Sequence, residues 1–135
     1  MKEITLEATV ENIGVATDFV EEFLDGIACP LKAKMQLNIA IDELFGNIAH
    51  YAYQGRSGKA IVQVEVLENP RAVCITFIDS GVPYNPLEKA DPDITLSAED
   101  RSIGGLGIFM VKKNMDDMQY SYCEGRNRLK IVKCI

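Results

Sequence analysis

Strand-period and helix-period segments follow one another here in an order that specifies an α+β fold. The expected form is a two-layer α/β sandwich, with a mixed, mostly antiparallel sheet carrying about three helices on one face. Three observations lead there. Two pairs of strand-like segments are separated only by short turns, at Glu68-Asn69-Pro70 and at Glu124-Gly125-Arg126-Asn127, which is how hairpins read. Two helix-like patterns stand in tandem between the first strand and the first hairpin. The regular βα alternation of a doubly wound parallel sheet is missing.

Each element has its own signal. Ile4, Leu6, Ala8 and Val10 alternate with polar neighbours, predicting a half-buried strand. Asn12 offers an N-cap, and Val15, Phe19, Phe23 and Ile27 recur at steps of four, predicting an amphipathic helix that stops at Gly26 and Pro30. A second helix is expected over 31–53, with Leu37, Ile41, Leu44 and Ile48 as its core stripe. Glu43 and Asn47, also four apart, share a different stripe with small neighbours such as Ala40 and Gly46 and could face a cleft. Taken alone they also fit a solvated helix face.

Gln54 to Gly58 form a turn. Gly55-Arg56-Ser57-Gly58-Lys59 lacks the spacing of a phosphate-binding Walker loop and is set aside. Ile61 to Leu67 and Ala72 to Ile78 are β-rich strands, with Asp79 at the end of the second. Tyr84 to Ile103 is long for a plain connection and reads as a lid or binding loop, with a capped turn at Ser97-Ala98-Glu99-Asp100. Ile108, Phe109, Val111 and Met115 supply a third helix; Met118, Tyr120 and Tyr122 alternate as a strand, and Leu129, Ile131 and Cys134 carry the last one.

The 135 residues are read as a single domain, long enough to bury roughly two-thirds of the unfolded surface. A net charge of −6 and a pI near 4.8 set the general field against nucleic acid and anionic membranes. No window approaches the roughly eighteen apolar residues of a membrane span, and the N-terminus lacks a signal-peptide core. The four cysteines form no Cys-x-x-Cys pair, and there is one histidine, a set that disfavours zinc. They read as reduced thiols of a cytoplasmic protein.

Two glycine clusters bracket the lid: Asp79-Ser80-Gly81 before it, and Gly104-Gly105-Leu106-Gly107 where the third helix begins. Glycines let a ligand approach the main chain, and a helix N-terminus offers free N–H groups and a positive dipole end. A phosphate-bearing ligand is the hypothesis they raise, although glycines alone more often mean ordinary turns around a surface loop. The Gly105-Leu106-Gly107 run does not directly follow a strand, so it fails as a dinucleotide fingerprint.

Glu43-x-x-x-Asn47, Asp79-x-Gly81 and Gly105-x-Gly107, in that order on those elements, resemble the N, G1 and G2 boxes of the GHKL (Bergerat-fold) ATPases. Asp79 to Pro86 and Arg101 to Lys113 are similar, more narrowly, to the anti-sigma factor serine kinases of the RsbW and SpoIIAB type. The resemblance covers nearly the whole chain. It implies ATP and Mg²⁺ as cofactors, a lid over about 84–103, and a role for each matching residue. Asp79 would accept a hydrogen bond from the adenine amino group, and Gly81 would let the base approach the main chain. Asn47 would give its side-chain oxygen to Mg²⁺. Gly104, Gly105, Leu106 and Gly107 would hold the phosphates at the helix start, and Arg101 would contact a terminal phosphate. Glu43 would be the general base, taking a proton from a serine hydroxyl in a kinase or from water in an ATPase.

Two positions depart from the family pattern. Tyr51 stands where many relatives have histidine, and His50, one residue earlier, is read as non-catalytic. Lys130 is taken to occupy a position that is often a threonine helping to hold adenine. The implied function is an ATP- and Mg²⁺-dependent protein-serine kinase and anti-sigma factor, with a STAS-type anti-anti-sigma protein and a sigma factor as partners and a possible homodimer. The alternatives are a kinase-inactive, nucleotide-gated binding module, which would have no chemical need for Glu43, and a stand-alone relative of histidine-kinase catalytic domains.

Overall fold

The computed structural model describes residues 1–88 and 105–135. Its strands are β1 (Lys2–Glu7), β2 (Lys59–Leu67), β3 (Ala72–Asp79), β4 (Asp117–Cys123) and β5 (Arg126–Cys134), and its helices α1 (Ile13–Gly26), α2 (Leu31–Asn47) and α3 (Gly105–Asn114). The strands form one sheet in the order β1-β2-β3-β5-β4, with all four neighbouring pairs antiparallel. This is the two-layer α+β architecture that the element order predicts, with the mixed sheet resolved into a wholly antiparallel one among the described residues.

Burial follows the period of two along each strand. Val62 and Val64 of β2, Ile75 and Phe77 of β3, and Leu129 and Ile131 of β5 point into one layer with the helices, where they join Leu37, Ile41, Leu44 and Phe45 of α2. β3 is central and every one of its residues is buried, because its outer-face side chains Cys74, Thr76 and Ile78 are covered by the two strands beside it. Full burial of a side chain such as Leu37 or Phe45 contributes about 1.5–3 kcal/mol.

Four boundaries differ from the sequence reading. Val10 is not in the first strand: pairing with β2 ends at Glu7, and Val10 begins a short 3-10 turn and is half exposed. In α1 the fully buried positions are Ala16, Val20 and Leu24, one residue along from the Val15, Phe19, Phe23, Ile27 stripe. Large side chains at the edge of a broad apolar face outweigh the alanine at its centre when only sequence is read. The second helix keeps α geometry only to Asn47, and residues Ile48–Ala52 continue it as a π turn. The last turn is shorter than expected. Glu124 and Gly125, both at positive φ (56° and 76°), make the two-residue hairpin turn, so Asn127 lies within β5.

Tyr53 fastens the end of the π turn to the sheet, its hydroxyl donating to the Lys59 carbonyl and accepting from the Ser80 N–H at 2.9 Å. On α3, Ile108 and Val111 are buried, with Met115 just beyond the helix; Phe109 is at the edge, with the Lys113 ammonium 5.7 Å from its ring centroid. The capped turn expected at Ser97 to Asp100 and most of the lid, residues 89–103, lie outside the described residues.

Candidate active site

The C-terminal end of β3, the end of α2 with its π turn, and facing residues of β4 and β5 meet at one end of the sandwich. Between them lies a cleft partly open to solvent, lined mainly by apolar side chains with a few polar groups, as small-ligand sites are. Leu44, Ile48, Phe77 and Leu129 form its apolar floor, Tyr84 and Tyr120 stand at its side, and Asn47, Asp79 and Asn127 supply the polar groups. A few polar groups on an apolar bed suit a flat, polar-edged heterocycle.

Asp79 is 6% exposed, and as the last residue of β3 it pairs in register with Ala60 on one side and Asn127 on the other. Its Oδ1 accepts from the Gly81 N–H and from the Asn127 side-chain amide, both at 2.9 Å. Among the described residues both hydrogen bonds to the carboxylate fall on Oδ1. The second oxygen belongs to a group lining the cleft, where a ligand amino group can donate to it.

Asn127 is the site residue that the sequence reading missed. It is buried, and its amide uses its full capacity. Nδ2 donates to Asp79 Oδ1 and to the Val82 carbonyl at 2.8 Å, while Oδ1 accepts from the Tyr84 N–H at 3.0 Å and the Tyr120 hydroxyl at 2.5 Å. One side chain thereby ties the end of β3, the segment after it, and β4 into one network. The available signal was a period of two, since Asn127, Leu129 and Ile131 share the inner face of β5. Lys130 lies on the other face, paired with Thr76 in register, so the strand position beside Asp79 is Asn127 and the expected place of Lys130 in the site is corrected. Burial pushes the Tyr120 and Tyr84 phenols above the usual tyrosine range, and for Tyr84 the nearby Tyr51 and Glu43 add to the effect. Both hydroxyls thus stay protonated at neutral pH.

Gly81 also serves the fold. A Cβ there would collide with the backbone carbonyl of Ala52, and the next residue, Val82, donates its N–H to that same carbonyl at 2.9 Å. The missing side chain admits the π turn, which fixes the loop that carries Asp79 into the cleft. His50 is exposed, its ring 5.9 Å from that of Tyr51, and does not line the cleft.

Glu43 and Asn47 stand one turn apart on α2, both half-buried, and Asn47 lines the cleft. The Glu43 carboxylate lies against Gly107 in the first turn of α3, so closely that a Cβ on Gly107 would overlap it. An anion at that place is favoured by the positive end of the helix. Leu106, in the same turn, is 43% exposed. Arg101 and Gly104 lie outside the described residues. Among the described residues no group of three or more His, Cys, Asp or Glu gathers to hold a metal ion. A cation here would rest on the Asn47 oxygen and on a ligand's own oxygens, as suits Mg²⁺.

Gly107→Ala provides a local test. The colliding atoms are the far end of a flexible side chain, so the carboxylate swings aside while the fold persists. Thermal unfolding is expected to show a stability change within about 1 kcal/mol, with nucleotide turnover reduced at least about tenfold if Glu43 must stand where it does.

A cleft of this kind, at this end of a sandwich with three helices on one face, agrees with what comparison of the sequence with known proteins finds. The Histidine kinase-like ATPase domain profile matches residues 6–133, nearly the whole chain. The chain belongs to that family. As a histidine kinase-like ATPase domain it is built to use ATP, and it has curated relatives among protein kinases. It is 27% identical over 126 residues to the serine-protein kinase RsbW of Bacillus thuringiensis, covering 90% of this chain and 69% of the relative. The RsbW of Bacillus anthracis gives the same values. The serine/threonine-protein kinase BtrW of Bordetella bronchiseptica is 24% identical over 101 residues, covering 75% of this chain and 70% of the relative. Among the described residues of this ATPase domain, no helix is long and apolar enough to cross a membrane.

Proposed function

We propose that this chain is an ATP- and Mg²⁺-dependent protein-serine kinase and anti-sigma factor. It phosphorylates a STAS-type anti-anti-sigma protein and exchanges that partner for a sigma factor according to nucleotide and phosphorylation state. The observation that carries the reading is the Glu43 carboxylate set against the first turn of α3, one helical turn from Asn47, which lines the cleft together with Asp79. The relatives above, protein kinases acting on serine or threonine, support it.

In this reading Asp79 accepts a hydrogen bond from the amino edge of adenine and rejects guanine, which presents a carbonyl there. Leu44, Ile48, Phe77 and Leu129 give the base an apolar bed. The free N–H groups at the start of α3, from Gly105 to Gly107, hold the phosphates together with Gly104 and Arg101 of the lid. Asn47 offers an oxygen to Mg²⁺, which when bound neutralises charge on the transferring phosphoryl group. Glu43 takes the proton of the serine hydroxyl as its oxygen bonds to the γ-phosphorus and the bond to ADP breaks. Residues 1–135 act as one ATP-binding domain closed by the lid over about 84–103.

The decisive experiment mixes the protein, labelled ATP with Mg²⁺, and the STAS-domain protein encoded nearest to its gene, and looks for phosphoserine. Glu43→Gln keeps the shape and removes the base; it is expected to bind ATP as the wild type does and to transfer phosphate about 100-fold more slowly. A Glu43→Gln protein with full transfer rate removes Glu43 from the chemistry. A wild type that binds ATP and never labels the serine leaves a nucleotide-gated binding module.

A further inference from the structure

Leu31, Met35 and Ile39 occupy successive turns of α2 and are 68%, 57% and 53% exposed. Spaced by four, they form one ridge of the helix, and the next two positions of that same ridge are Glu43 and Asn47. The ridge on one side of it meets α1 at several points. There Lys34 reaches Asp25 and Glu21 of α1 at 2.7 and 3.4 Å, the side-chain oxygen of Asn38 is buried, and Gly46 lies against Ile13. The first turn of α3 packs on Glu43, at the end of the ridge itself, and the exposed charges Asp42 and Lys32 stand on the two flanking ridges. An uncharged apolar rail thus runs along the outside of α2 and ends at the carboxylate. From Ile39 to Glu43 it rises about 6 Å, and from Leu31 about 18 Å.

We infer that this ridge is the docking surface for the phosphoacceptor protein, a folded domain with an apolar surface patch beside its serine. The inference rests on the kinase reading above and names the surface by which that substrate is held. The ridge leads to Glu43, so it offers an apolar track for a chain that brings a serine oxygen to that carboxylate. Leu31, Met35 and Ile39 carry no charge, so recognition there is by burial of apolar surface and not by ion pairing. Three side chains expose at most a few hundred Å², well under the ~800 Å² per partner of a stable complex. That extent suits a substrate that arrives and leaves, and it is too small to hold a second copy of this chain by itself. After transfer the product carries new negative charge beside Glu43, on a protein whose own net charge is −6, which favours release.

Met35→Asp places a charge in the middle of the ridge at an exposed position, and circular dichroism and ATP calorimetry verify that fold and nucleotide binding persist. The expected result is a KM for the STAS-domain protein raised at least tenfold, with kcat at saturation and ATP affinity unchanged, and a KM near the wild-type value for Met35→Leu. Ile39→Asp is expected to act alike. Unchanged KM in both aspartate variants overturns the inference while leaving the kinase reading intact. A wild-type protein that transfers no phosphate overturns that reading, and the inference with it. Loss of a wild-type dimer in Met35→Asp, seen by light scattering with KM unchanged, assigns the ridge to a second copy and also overturns the proposal.

Discussion

Asp79→Asn is expected to weaken ATP binding by about a thousandfold, roughly 4 kcal/mol, with little change in thermal stability. The two effects separate because the carboxylate does two jobs with two oxygens. Oδ1 accepts from Gly81 and from Asn127, and an asparagine oxygen serves those donors equally well. The other oxygen becomes an amide N–H, so in the cleft a donor replaces an acceptor. Adenine's amino group then meets a donor on an apolar bed, and a pair of donors left facing each other costs more than a lost hydrogen bond. Calorimetry of ATP binding with parallel thermal unfolding checks both halves. Unchanged affinity removes the adenine role, and a collapse of stability shows that the geometry around Oδ1 tolerates no amide.

Asn127→Asp is expected to be the most damaging single-atom change in the protein. It replaces both donors of Nδ2 with an acceptor facing Asp79 Oδ1, formerly 2.9 Å away, and the Val82 carbonyl. Two carboxylates at that separation cannot both ionise cheaply. A stability loss of about 3–5 kcal/mol at pH 7 is expected, as for a broken buried polar pair, and nucleotide binding falls with it. The pH dependence has a definite sign. One of the coupled carboxyls has a folded-state pKa raised above its unfolded value, so the lost stability is recovered in acid and lost as pH rises through that raised pKa. Urea unfolding of the variant and the wild type across pH 4 to 8, a span set by roughly ordinary carboxyl values and upward shifts, measures this. A stability difference that does not shrink toward low pH overturns the account.

Much of this arrangement was legible in the sequence, and the exceptions share a cause. Period locates β2 and the core face of α2, because Val62, Val64 and Leu37 are buried by the very alternation that the sequence displays, while β3, buried throughout, is found from its β-branched and aromatic content. Glu43 and Asn47 are neighbours by helix geometry, and the end of β3 presents Asp79 wherever that strand pairs. Asn127 needed something that local pattern does not carry, the register of a hairpin. That register hangs on a two-residue turn whose first position is Glu124 at φ 56°, and glutamate is not a residue that announces a left-handed turn. Reading the turn two residues too long hides the asparagine in a loop and shifts attention to Lys130, on the opposite face. The π turn at Ile48–Ala52 was equally invisible, since a helical period continues through it while the backbone changes. Its effect appears only in three dimensions, where the Ala52 carbonyl meets Gly81 and Val82.

The strand order has a consequence for how the molecule comes into being. β3, with Asp79 at its tip, is flanked on one side by β2 and on the other by β5, the last of the described strands to be synthesised. As the chain leaves the ribosome, β1, β2 and β3 with α1 and α2 have partners at hand. The second edge of β3 waits open for some fifty residues, since Asp79 pairs with Asn127. Closing a long loop is slow compared with forming a hairpin, and an open central strand is sticky while it waits. The closing event also delivers the amide that holds the Asp79 carboxylate. Competence to hold a nucleotide therefore arrives in the final step of folding, so ATP present during synthesis captures only chains whose sheet is already complete.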